Sequence, residues 1–156
     1  MAEETVIGMG ELSVKTAQHK LVCRGIGSCV VIALYDDGKK LGGMAHAMLP
    51  KQSAKKKFDQ KSAKFVDVAI DILVSRMLRR GSSKRSIEAK IAGGANMFPS
   101  LIKTGEMVVG QRNVENAKKK LEQQGVKLVA EDVGGNHGRS ISFDVGTGIV
   151  EVSIKI

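Results

Sequence analysis

Cys29 closes the segment Gly25-Ile-Gly-Ser-Cys29, and His46 follows inside Gly42-Gly-Met-Ala-His-Ala-Met-Leu-Pro50. A thiol at the end of a glycine turn, with an imidazole within reach, is the pair that nucleophilic catalysis needs. The imidazole takes the thiol proton and the resulting thiolate attacks an electrophilic carbon. Backbone N–H groups in the turn, around Gly27, Ser28 and Cys29, are candidate oxyanion donors for acyl transfer. A third group must orient the imidazole so that the correct nitrogen faces sulfur. The plainer alternative makes Cys29 a small buried hydrophobe and His46 a satisfied strand histidine. Of the other histidines, His19 reads as a surface residue in a polar loop. His137 lies in a second glycine-rich turn, Gly134-Gly-Asn-His-Gly138, and reads first as a plain turn residue, with a place bordering the site as the alternative.

The elements between the two residues bring them together. Val30 to Tyr35 reads as a strand, Asp37-Gly38 as a two-residue hairpin signal, and Lys40 to Met44 as the returning strand. With Asp36 facing Lys39, Cys29 falls directly opposite His46, their Cβ atoms about 5 Å apart, and a four-residue loop is expected to leave that pairing intact. Both faces of the hairpin are apolar: Val31, Ala33 and Met44 on the Cys29 side, Val30, Ile32, Leu34 and Leu41 on the other. A sheet apolar on both faces is covered on both, which predicts a layered α/β domain.

Around the hairpin the pattern predicts strands over Val6–Met9, Glu11–Val14, Lys20–Cys23, Ile87–Ala92, Val126–Val133, Ser140–Asp144 and Ile149–Ile154. A helix is predicted over Lys61–Arg80, where Val66, Ala69, Ile70, Leu73, Val74, Met77 and Leu78 recur at helical spacing before Gly81. A second helix is predicted over Asn113–Gln124, with Val114, Ala117 and Leu121 on one face. The basic stretch Lys51 to Gln60 reads as a solvated connector. At 156 residues, without a linker or repeat, the chain is expected to form a single domain over residues 1–156.

Composition narrows the function. A net charge of +9 invites nucleic acid, but the chain has no Trp, one Tyr and four Phe, and so lacks stacking platforms. Its lysines and arginines are scattered in short groups, which suits an acidic protein partner or solubility better. No apolar run is long enough for a membrane span, and the N-terminus lacks the pattern of a secretory signal, so a cytoplasmic location is expected. Cys23 and Cys29 are then not a structural staple, and no ligand spacing supports a metal. Gly25-Ile-Gly27 also fails the dinucleotide fingerprint, because Val30 stands at the third glycine position and a strand follows.

Five blocks in order resemble the chemoreceptor glutamine deamidases of the CheD family. They are Gly25-Ile-Gly-Ser-Cys29, Gly43-Met-Ala-His-Ala-Met-Leu-Pro50, Gly93-Gly-Ala-Asn-Met-Phe98, Gly110-Gln-Arg-Asn-Val114 and Asp132-Val-Gly-Gly-Asn-His-Gly-Arg139. The resemblance runs from about Val6 to Val150. It implies an α/β fold, a layered sandwich of mixed β-sheets with flanking helices, similar to that of toxin-type deamidases. It also implies a cytoplasmic chemotaxis enzyme that hydrolyses glutamine side chains on methyl-accepting receptors, with Cys29 as nucleophile, His46 as base and no metal or organic cofactor. A CheC-type phosphatase is the implied second partner.

One position departs from the family. Its third catalytic residue is usually a threonine two places before the first glycine, where this chain has Cys23. A thiol accepts a hydrogen bond poorly. Cys23 is therefore expected to orient His46 less well, or to hold the ring by packing while a backbone carbonyl supplies the hydrogen bond. Close approach of Cys23 and Cys29 would also permit oxidation that blocks the nucleophile. The competing function is a catalytically weak adaptor of the chemotaxis pathway.

Overall fold

The computed structural model describes residues 3–51, 62–99 and 108–154. Nine strands form two mixed sheets: β1 (Glu3–Val6), β2 (Leu12–Thr16), β3 (His19–Ile26), β4 (Val30–Asp36), β5 (Leu41–Ala47), β6 (Ile87–Gly93), β7 (Lys127–Val133), β8 (Arg139–Asp144) and β9 (Val150–Ile154). The first sheet has the order β1-β3-β8-β9 and the second β2-β5-β4-β6-β7. Helices α1 (Val66–Arg79) and α2 (Val109–Gln124) cover the outer face of the second sheet.

Three layers follow from the two-faced hairpin. Val30, Ile32, Leu34 and Leu41 point outward to meet Ile70, Leu73 and Met77 of α1 and Leu121 of α2. Val31, Ala33 and Met44 point inward to meet Leu21, Ile26, Ile141 and Phe143 of the first sheet. The layered sandwich expected of the sequence is the one observed. Phe143 fills the inter-sheet space so closely that a Cβ on Gly42 would lie 2.8 Å from its ring.

The hairpin register differs from the expected one. Asp36 pairs with Leu41, and Val31 rather than Cys29 lies opposite His46. The loop does have four residues, Asp37–Lys40, yet the pairing moves by two. Asp36 stays in the strand because its buried carboxylate accepts hydrogen bonds from Ser82 Oγ (2.6 Å) and Ser86 Oγ (3.1 Å). The reversal is then made by Lys40, at φ +50°. A shift of two preserves side-chain parity, so the apolar pattern suits either register equally. Cys29, just before β4, and His46 thus share the inter-sheet face but lie diagonally, a spacing of roughly 7–8 Å between strand positions.

Other boundaries moved for identifiable reasons. The first strand ends at Val6, because residues 8–11 turn the chain from one sheet to the other; the N–H of Glu11 donates to the Gly8 carbonyl (3.0 Å). His19 is not in a loop. It opens β3, and its Nε2 lies 3.0 Å from Thr5 Oγ1. Helix α1 starts at Val66, not near Lys61: Phe65 is extended, and the N–H groups of Met48 and Leu49 donate to the Lys64 carbonyl. Helix α2 starts at Val109, one turn earlier than the apolar stripe indicates. The connector expected over 51–60 lies, apart from Lys51, outside the described residues.

Candidate active site

At one end of the inter-sheet layer, β3 runs past a bulge between Cys23 and Ile26 into the glycine turn. Gly25, at φ +66°, takes the left-handed conformation there without a steric penalty. The turn delivers Cys29 half-buried to the start of β4. Three successive carbonyls of the turn are fixed from outside. Ala95 N–H donates to Gly27 O (2.9 Å), Asn113 Nδ2 to Ser28 O (2.8 Å) and Gly94 N–H to Cys29 O (2.8 Å). The Ser28 and Cys29 N–H groups bond to no carbonyl among the described residues, so two of the expected oxyanion donors remain available.

Gly93 makes this contact feasible. At φ +110° it lies so close to the turn that a Cβ there would be 2.3 Å from the Cys29 carbonyl oxygen. The second glycine turn braces the same loop: Gly134 N–H donates to Gly93 O (3.0 Å) and Asn96 N–H to Gly135 O (2.8 Å). Within that turn His137 is exposed to solvent.

His46 is held on β5 with only 3% of its surface exposed. Its backbone is tied to the turn after β1, with Gly10 N–H donating to its carbonyl and its own N–H to the Glu11 carbonyl. Nδ1 lies 3.2 Å from the Ile7 carbonyl, which can only accept, so Nδ1 carries the proton. Nε2 is therefore the basic nitrogen, buried and without a hydrogen-bond partner among the described residues. A buried, unmatched acceptor on the same inter-sheet face as a half-buried thiol suits a base awaiting a proton.

Burial shifts both members of the pair toward their neutral forms. Burial pushes the Cys29 thiol up, opposed by the residue's own backbone N–H, which lies against the sulfur. Burial pushes the His46 imidazole down, opposed by the Ile7 carbonyl and the charge of Glu11. Both shifts disfavour a preformed thiolate–imidazolium pair.

Cys23 is completely buried on β3, with its thiol pushed up to about 12 by burial and then by the neighbouring Cys29. It makes no hydrogen bond to His46; the Ile7 carbonyl occupies Nδ1 instead. Two residues thus matter that sequence spacing did not assign. Ile7 acts through a backbone atom, which leaves no side-chain signature. Asn113 did leave one: it shares a helix face with Ala117 and Leu121, a polar residue where the stripe calls for an apolar one. Among the described residues no group of His, Cys, Asp and Glu is arranged to hold a metal ion. No described helix is long and apolar enough to cross a membrane.

Comparison with known proteins shows the family. Residues 48–154 match the family model described as CheD chemotactic sensory transduction. A Halalkalibacterium halodurans protein named chemoreceptor glutamine deamidase CheD is 45% identical over 147 residues, covering 94% of this chain and 91% of that protein. Proteins named probable chemoreceptor glutamine deamidase CheD are 43% identical in Clostridium novyi (96% and 92% covered) and 42% in Pyrococcus abyssi (97% and 92%). Two solved structures share the fold. Bacillus licheniformis YfiH aligns with a TM-score of 0.50 at 14% identity, over 78% of this chain and 50% of that one. Neisseria meningitidis NMB0706, matched to family model DUF152, aligns with a TM-score of 0.52 at 10% identity, over 86% and 65%. Likeness of this extent to the curated relatives, across nearly the whole length, settles the family: the chain belongs to CheD.

Proposed function

We propose that this protein hydrolyses glutamine side-chain amides on methyl-accepting chemoreceptors, releasing ammonia and leaving glutamate. The names of its relatives support the substrate and reaction class. One observation supports this chain's own competence: the Nε2 of His46, buried and unpartnered, on the same inter-sheet face as Cys29.

In the reaction the His46 Nε2 accepts the Cys29 thiol proton as sulfur attacks the amide carbon. The tetrahedral oxyanion forms against the N–H groups of Ser28 and Cys29, whose directions are fixed by the clamped carbonyls behind them. The C–N bond then breaks, the imidazolium proton goes to the leaving nitrogen, and ammonia departs from a thioester. Water, deprotonated by the same nitrogen, cleaves the thioester to glutamate and returns the thiol. The Ile7 carbonyl holds the ring throughout and stabilises the transient imidazolium. Cys23 contributes packing at the position the family usually gives to threonine.

A chain of charge +9 is suited to acidic helical segments, and electrostatic attraction of this kind raises the encounter rate. The partner expected besides the receptor is a CheC-type phosphatase, and the site of action is the cytoplasm. Incubation with a chemoreceptor signalling fragment is expected to release ammonia and raise the fragment mass by about 1 Da per converted glutamine. A fragment left unchanged, with a CheC-type phosphatase still bound, would replace this reading with that of an adaptor.

A further inference from the structure

Asn113 stands apart from the rest of α2. It is completely buried, yet it carries a full amide. Its Nδ2 donates twice, to the Ser28 carbonyl at 2.8 Å and to the Met48 carbonyl at 3.1 Å. Ser28 is the residue before the thiol, and Met48 is two residues beyond the imidazole. One NH₂ group therefore bridges the backbone segments that carry the two reacting side chains.

The bridge also acts along the chain. In a trans peptide the C=O and N–H of one unit point in opposite directions. Drawing the Ser28 carbonyl toward α2 turns the Cys29 N–H the other way, away from α2, where it lies against its own sulfur. That N–H is one of the two unpaired donors of the turn. The neighbouring clamps on Gly27 and Cys29 come from backbone amides. The central clamp is the only side chain among them, and so the only one a substitution can remove directly.

We infer that Asn113 is a positioning residue for the deamidation, setting both the direction of the Cys29 N–H as oxyanion donor and the separation of Cys29 from His46. The inference rests on the assignment of Cys29 and His46 given above. Burial of an amide on an apolar helix face opposes folding unless its donors are satisfied. The two carbonyls satisfy both of them, while Oδ1 remains without a partner among the described residues. Packing alone would be better served by leucine or alanine at this position.

The test is Asn113→Ala beside Asn113→Asp, which keeps the shape but removes the paired donors. Each is assayed on a chemoreceptor signalling fragment and by iodoacetamide alkylation of Cys29 across pH. Loss of an oriented oxyanion donor predicts kcat reduced on the order of 10- to 100-fold with KM held within about twofold. The alkylation midpoint is expected to move upward, since the N–H that favours the thiolate is no longer aimed at it, while the limiting rate at high pH stays at the wild-type level. A residue needed only for packing would lower the melting temperature and leave kcat and the alkylation midpoint of the folded fraction unchanged. That result overturns the inference, and so does failure of both variants to fold. Cys29→Ala, run in parallel, separates the two claims. If it still deamidates, the assignment of the nucleophile fails; if it is inactive while both Asn113 variants turn over normally, only this inference fails.

Discussion

Replacing Gly93 by alanine puts a methyl group where the nucleophile turn meets β6. The new Cβ would lie 2.3 Å from the Cys29 carbonyl oxygen and 2.9 Å from Ile26 Cγ2. To restore ordinary contact the carbonyl must withdraw by about 1 Å. That movement breaks the 2.8 Å hydrogen bond from Gly94 N–H and carries the thiol with it. A misplacement of about 1 Å at reacting atoms costs on the order of 100-fold in rate. Gly93 also sits at φ +110°, where a side chain is strained. The left-handed penalty of about 1–2 kcal/mol and overpacking of about 1–3 kcal/mol together predict a loss of about 2–5 kcal/mol in stability. Gly81→Ala is the control. Its φ is +101°, and its new Cβ would meet only the flexible end of Lys39, at the far end of β4 from Cys29. Both variants are to be followed by thermal unfolding, and their deamidation rates measured well below the lower melting temperature. The expected result is destabilisation in both and a rate loss of about 100-fold in Gly93→Ala alone. A Gly93→Ala enzyme that is destabilised but turns over like the wild type would refute it.

Three other outcomes follow from the structure. Because burial raises the Cys29 thiol and lowers the His46 imidazole, alkylation of Cys29 should climb through a midpoint above the ordinary thiol value, while kcat/KM should persist below the ordinary imidazole value of 6.5. A thiol already reactive in acid would indicate a resting ion pair instead. Cys23→Thr restores the usual family residue on β3, and deamidation is expected to be equal or faster; a large loss would give the thiol a role of its own. Ser82→Ala removes a 2.6 Å hydrogen bond to the buried Asp36 carboxylate and should cost about 1.5–3 kcal/mol in chemical denaturation. Burial raises the Asp36 carboxyl, but hydrogen bonds from Ser82 and Ser86 outweigh that and hold it below the usual range. The associated stability is therefore present above pH 4 or so and lost as pH falls through the folded value. An unchanged midpoint in Ser82→Ala would show that this network does not set the hairpin register.

How far the sequence revealed the molecule depended on which atoms carried the information. Two-faced apolarity in Val30–Leu34 predicted layers on both sides, and both are present, because burial acts on every side chain of the strand. The stripe from Val66 to Met77 likewise marked the buried face of α1. Hairpin parity placed Cys29 and His46 on one face, but the register slipped by two. Parity is blind to such a slip, and Asp36 was committed to serines distant in the chain. A backbone carbonyl was among the ring partners expected for His46, but which carbonyl was beyond reach, since that of Ile7 is brought there by the crossing between sheets. Asn113 was visible as a polar residue in an apolar stripe, although its two acceptors lie 85 and 65 residues away in sequence.

One measurement bears on the proposed role of Cys29, served by His46, as the nucleophile of a glutamine deamidase. Mass spectrometry of a chemoreceptor signalling fragment after incubation with wild type and with Cys29→Ala addresses it most directly. A gain of about 1 Da at particular glutamines is expected with the wild type, and no gain with a folded Cys29→Ala protein. The same gain with both proteins would contradict it.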